Sequence, residues 1–145
     1  MRNILSIDPG MKKCGLILAD LDTATVLDGR VVSYSAVINC IEYWRSIEHF
    51  DNIILGNGTS SKFWLKKLKG IAPIQVVEEK GTTLRARERY WEIWPPGIWL
   101  RWLPRGLIVP STHLDAVAAL VLLEDYLNQK LHWTAQRDFR IWHEL

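Results

Sequence analysis

Apolar and polar positions alternate through the first third of the chain. Ile4 to Asp8 sets Leu5 and Ile7 on one face and Ile4, Ser6 and Asp8 on the other, and Pro9-Gly10 closes the stretch with a turn. Cys14 to Ala19 and Thr25 to Val32 follow after short polar links, which predicts a meander of three antiparallel strands. The period then lengthens. Ala36 to Phe50 places Val37, Ile41, Trp44 and Ile47 three and four residues apart, the spacing of an amphipathic helix. Ile53 to Leu55 is a short buried strand ended by Gly56-Asn57-Gly58, and a helix capped by Thr59 or Ser60 runs to Lys69, before Gly70. Ile74 to Val77 is the next inner strand, and a helix from Thr82 or Thr83 continues until Pro95-Pro96-Gly97 breaks it. A last, largely apolar helix spans Ser111 to Asn128, and the pattern assigns no element to Lys130 to Leu145. Such an order predicts an α/β fold: a mixed five-stranded sheet, the three-strand meander plus two parallel strands, flanked by helices.

Composition narrows the class. At 145 residues, with about 100–200 per domain, the chain is read as a single domain. Its 48% hydrophobic and 23% charged residues exclude collagen-like, disordered and coiled-coil classes. The longest apolar run, Ala116 to Leu123, is far below the roughly 20 residues of a membrane-spanning helix. An acid at Asp8 precedes any run of the secretory type, so a cytoplasmic protein is expected. Cys14 and Cys40 form neither a disulfide framework nor a zinc motif and read as buried thiols. Net charge is +2, which says little, but Lys80 to Arg105 is locally basic, with Arg85, Arg87, Arg89 and Arg101 against Glu88 and Glu92.

Three acids stand where chemistry is expected. Asp8 ends a strand, Glu78 or Glu79 ends another, and the carboxyl ends of parallel strands open on the edge where α/β sheets bind ligands. Asp115 opens the last helix. Each also has a plain structural reading: Asp8 as a turn former before Pro-Gly, and Asp115 as the acid of a capping box with Thr112. Together they make an oxygen-only donor set for Mg²⁺ or Mn²⁺, suited to phosphodiester cleavage.

Several residues carry a family resemblance in one order. They are Ile7-Asp8-Pro9-Gly10 with Lys12 and Gly15, then Gly56, then Glu78-Glu79-Lys80-Gly81-Thr82-Thr83 with Ala86-Arg87, then Leu114-Asp115-Ala116-Val117-Ala118-Ala119 with Tyr126-Leu127. This set resembles the YqgF/RuvX group of the RNase H-like superfamily, related to the RuvC Holliday junction resolvases. The resemblance implies an RNase H-like nuclease fold. It places Glu79, rather than Glu78, on the family's metal-binding glutamate and carries over Asp8 and Asp115 as the other catalytic ligands. It implies a Mg²⁺- or Mn²⁺-dependent endonuclease or related nuclease, with structured RNA or branched DNA as partner: rRNA precursor processing or junction resolution. The chain departs from the family in three places. Asn57-Gly58 replaces Leu-Pro after Gly56, Ala118 stands where RuvC carries a further aspartate, and a Trp- and Pro-rich stretch replaces the connector before Asp115.

In that stretch Trp91, Trp94, Trp99 and Trp102 are interleaved with Arg89, Arg101 and Arg105. Aromatic faces stack on unpaired bases while arginines neutralise phosphate, so Lys12, Lys80, Arg85, Arg87, Trp99, Arg101 and Trp102 are the candidate nucleic-acid contacts. The same tryptophans also suit a core or a homodimer interface. His113 is a candidate general acid beside Asp115 or a capping residue. The rival function is an RNase H-like binding or docking protein without turnover. An actin-like phosphotransferase, which Asp8-Pro9-Gly10 also suggests, needs about twice this length.

Overall fold

A computed structural model describes residues 2–58, 60–95, 114–133 and 141–142. The meander is β1 (Asn3–Pro9), β2 (Lys13–Asp20) and β3 (Thr25–Ser33), each antiparallel to the next. A 3-10 turn at Tyr34–Ala36 leads into α1 (Val37–Ile47), then come β4 (Asn52–Gly56), α2 (Ser61–Leu68), β5 (Ile74–Val77), α3 (Thr82–Ile93) and α4 (Asp115–Leu127). β4 joins β1 in parallel and β5 joins β4 in parallel. The order β5-β4-β1-β2-β3 therefore puts β5 at an edge, where an inner strand was expected from Ile74 to Val77. Val76 is 37% exposed accordingly.

Alternation on the strands sorts the core into two halves. Leu5, Ile7, Leu16, Leu18, Ile53 and Leu55 face α1 and α2, while Ile4, Ile17, Ala19, Val26, Val31 and Ile54 face α3 and α4. α4 is buried on all sides from Ala116 to Glu124, as its apolar sequence requires. The Ser6 hydroxyl donates to the Ala119 carbonyl at 2.7 Å, fixing β1 against α4 and showing which face the Ile4, Ser6, Asp8 set presents.

Three sequence readings change. The tail adds strands: β6 (His132–Trp133) and β7 (Ile141–Trp142) lie parallel to β3, against Thr25 and Val26 and against Val31 and Val32, so the described sheet has seven strands and not five. Two-residue strands carry too little period to be read from sequence. Ser60 stands at the N-cap of α2 but makes no side-chain cap bond, while α3 starts at Thr82 as expected, with Gly81, in the left-handed conformation, at its N-cap. The last helix starts at Asp115 with Leu114 as its cap residue, so Asp115 holds the first helical position and not the third, as a capping box needs. Ser111 to His113 lie outside the described residues. Asn128, in the left-handed conformation, ends α4 with its N–H on the carbonyls of Asp125 and Glu124.

Cys14 and Cys40 are free and buried, and burial pushes the Cys14 thiol up to about 12. Among the described residues no helix is long and apolar enough to cross a membrane.

Candidate active site

Two close approaches assemble the acids. Asp8 lies opposite Gly15 in the β1–β2 ladder, and α4 begins directly over Gly15, where an added Cβ would overlap the Asp115 carbonyl. Any side chain at position 15 lifts the helix start from the sheet. Gly56, the last residue of β4, does the same for Glu79. β4 separates β5 from β1, so the Glu79 side chain reaches Asp8 by lying across Gly56, and a Cβ there would overlap its Oε1. The two glycines let an edge-strand acid, a central-strand acid and a helix-start acid share one place.

The electrostatics show how near these groups lie. Asp8 is raised from 3.8 to about 8, first by burial, then by a hydrogen bond and charge repulsion from Glu79, then by the charge of Asp115. A hydrogen bond between two carboxyls needs a proton, and near neutrality Asp8 keeps its own. Glu79 Oε1 is buried with no hydrogen-bond partner, an uncompensated acceptor in a place that disfavours negative charge. Asp115 is 28% exposed and meets the Lys13 ammonium, equally exposed, at 3.7 Å.

Glu78 points elsewhere. It is exposed and pairs with Lys80 at 3.5 Å. Among the described residues, no group of three or more His, Cys, Asp or Glu side chains is gathered as a metal site. The donors still fit a hard divalent cation: all are carboxylate oxygens, and the orphaned Glu79 oxygen lacks a positive partner. Binding a cation would displace the proton held on Asp8 and loosen Asp115 from Lys13.

The basic candidates scatter. Lys12 is exposed on the β1–β2 turn, while its neighbour Lys13, not singled out in the sequence, is the cation at the acids. Its signal was its position directly opposite the turn from Asp8, where only alternation along β2 separates it from Lys12. Arg85 pairs with Asp125 and donates to the Lys80 carbonyl at 3.1 Å. Arg87 is half-buried, and its Nε has no hydrogen-bond partner. Trp91 is buried and Trp94 packs on Tyr90 and Trp133, so both serve the core. Trp99, Arg101, Trp102, Arg105 and His113 lie outside the described residues.

A cleft of about 510 Å³ lies away from the acids, between α3 and the end of α4, with Arg85, Arg89, Glu92, Glu124 and Lys130 around it. Its charges are matched. Arg89 donates to both oxygens of Glu124 at 2.9 Å and to the Leu131 carbonyl at 2.8 Å, and Lys130 meets Glu92 at 3.0 Å. Burial works against the Arg89 charge, yet Glu124 and Glu92 outweigh it and hold the guanidinium above its usual range.

No protein-family model and no curated protein sequence matches the chain. Among solved structures, T. thermophilus RuvC in complex with Holliday junction substrate is similar over 88% of this chain and 96% of that one, with 14% identity and a TM-score of 0.50. Another Thermus thermophilus RuvC structure covers 87% of this chain and 94% of its own, with 15% identity and a TM-score of 0.49. At such identity the likeness concerns the fold. Over that coverage, this chain has the RNase H-like fold of the RuvC Holliday junction resolvase.

Proposed function

We propose that the protein is a divalent-metal-dependent nuclease that hydrolyses phosphodiester bonds in structured nucleic acid, either ribosomal RNA precursors or branched DNA. The observation that carries this reading is the approach of Glu79 and Asp115 to Asp8 at the carboxyl edge of the sheet, where burial first and then these two acids raise Asp8 to about 8. Three acids held together by two close glycine approaches, at a cost to the charged state, are poor structural devices. Asp8, Glu79 and Asp115 would hold Mg²⁺ or Mn²⁺, which when bound supplies Lewis acidity toward water and the leaving oxygen. The chain's own residues prepare that place: Gly56 and Gly15 leave it room, Asp8 surrenders its proton, and Asp115 exchanges the Lys13 ammonium for the cation. The RuvC structure with a Holliday junction substrate supports a nucleic-acid substrate through the shared fold.

A second reading, a binding protein without turnover, is favoured by the Lys13 ammonium at Asp115 and the ungathered donors. One assay separates the two: Mg²⁺- or Mn²⁺-dependent cleavage of four-way DNA junctions, single-stranded RNA and precursor ribosomal RNA. Metal-dependent cleavage of one substrate class is expected. Binding of the panel with no cleavage in either metal sinks the nuclease reading and leaves the binding protein.

A further inference from the structure

The stretch from Asn52 to Val77 contains four lysines and no acid. All four fall on or just after α2. Ser61, Trp64 and Leu68 are the buried side of this helix. Lys62, Lys66 and Lys69 lie four and three residues apart and are exposed, a single stripe of roughly 10 Å at about 1.5 Å per residue. Among the described residues no ion pair engages these three, in contrast to Arg85, Arg89 and Lys130. The fourth, Lys67, stands over the ring of Phe63 at 5.6 Å, and that ring is itself 48% exposed and stacked on Tyr34.

The stripe is fastened to the acids. The Tyr34 hydroxyl bonds both the Gly10 carbonyl, two residues beyond Asp8, and Ser60 Oγ at the start of α2. A Cβ built on Gly58 would come within 3.1 Å of the Pro9 carbonyl and 3.7 Å of Glu79 Oε1. The chain entering α2 thus touches both acid-bearing strand ends, and the lysines lead away from that point.

We propose that the exposed face of α2, with Lys62, Lys66 and Lys69, binds the phosphate backbone of the nucleic acid and guides it to the carboxylate site. The inference rests on the nuclease reading and places the main backbone contact on α2, not on the Trp-rich stretch. Charge complementarity decides the occupant: an acid-free, unpaired lysine stripe beside a site suited to phosphodiesters fits a polyanion. Each phosphate neutralised steepens the fall of log K with log salt by about 0.9 on duplex and 0.7 on single strands.

The test compares the parent with a triple variant, Lys62→Gln, Lys66→Gln and Lys69→Gln, and a control with equal charge loss, Arg2→Gln, Arg30→Gln and Lys130→Gln. Binding of a labelled four-way DNA junction and a labelled single-stranded RNA is measured by anisotropy in chelator across a salt series. The α2 variant should bind at least tenfold more weakly at low salt, with a slope shallower by about 2 to 3, and melt with the parent. The control should keep the parent's slope. An α2 variant with the parent's affinity and slope overturns the proposal while leaving cleavage and the nuclease reading intact, and so does an equal loss in both variants. A parent that binds neither probe overturns both. Should the triple variant melt early, Lys66→Gln alone, with a slope change of about one, carries the same test.

Discussion

Two groups of charge lie on the α3–α4 side of the sheet, and they are built in opposite ways. In the cleft, Arg89, Glu124, Glu92 and Lys130 alternate in sign, and each buried oxygen or nitrogen meets a partner. Glu124, with a side chain only 9% exposed, even accepts the Leu131 N–H at 2.7 Å and so fastens the start of the added edge strand. At the sheet edge Asp8, Glu79 and Asp115 share one sign, leave Glu79 Oε1 without a hydrogen-bond partner, and meet a cation only at the Asp115–Lys13 pair among the described residues. A satisfied network specifies structure; like charges forced together store free energy that a cation can release. The difference teaches that matched charges hold the α3–α4 scaffold together, whereas the like-charged cluster is the proposed site.

Substitutions that strike one group and spare the other should separate these roles. Asp8→Asn, Glu79→Gln or Asp115→Asn should each lower metal-dependent cleavage by roughly 10³-fold or more, with double variants costing little further because the donors act as a unit. The fold should survive. In chelator Asp8→Asn and Glu79→Gln should melt at or above the parent, and Mg²⁺ should stabilise the parent alone. Full cleavage by Asp8→Asn, or loss of cleavage in Glu78→Gln with none in Glu79→Gln, would undo the assignment. The mirror experiment is Glu124→Gln, which takes the bidentate carboxylate from the largely buried Arg89 and leaves it only the half-exposed Glu92. Chemical denaturation should show a loss of about 3 kcal/mol, with cleavage per folded molecule retained; a stable variant with impaired cleavage would make the cleft part of the site.

Smaller effects sharpen the account of the acids. Lys13→Gln removes the ammonium that competes with a cation for Asp115. Because both side chains are 28% exposed, the pair contributes no more than about 1 kcal/mol. Mn²⁺ affinity, followed by melting temperature, should therefore rise by about fivefold or less; weaker Mn²⁺ binding would show instead that Lys13 orients Asp115 productively. The pH dependence is gentler still. Asp8 keeps its proton up to about 8 in the fold but releases it near 3.8 when unfolded, so the native state binds the extra proton between those values. The stability contributed on the acid side is then lost as pH rises through about 4 to 8. In chelator the melting temperature should drift down across that window, and Asp8→Asn should remove this component of the drift. An Asp8→Asn profile parallel to the parent's would show that Asp8 is not the proton-holding group.

What was legible in the sequence follows from local periodicity. The alternation in Ile4 to Asp8 and the helical spacing in Ala36 to Phe50 are dictated by which faces must be buried, and the structure has β1 and α1 there. The same alternation puts Asp8 on the Ser6 face, and the turn after Val77 puts Glu79 at a strand end. Tertiary structure decided the rest. Periodicity could not tell Glu78 from Glu79, because adjacent residues in a turn have no period, and only the family resemblance pointed to Glu79; the space over Gly56 admits one carboxylate, and the other turns to Lys80 and solvent. Nor could it show that Lys13 rather than Lys12 meets Asp115, since that contact depends on α4 settling over Gly15, a hundred residues away from its partner strand in sequence. The tail's pairing with β3 and the Arg89–Glu124 bond are long-range in the same way. Residue type and spacing determine which elements form and which face each acid takes. Which charges meet is set by how close two backbones can come, and here that is decided at two glycines.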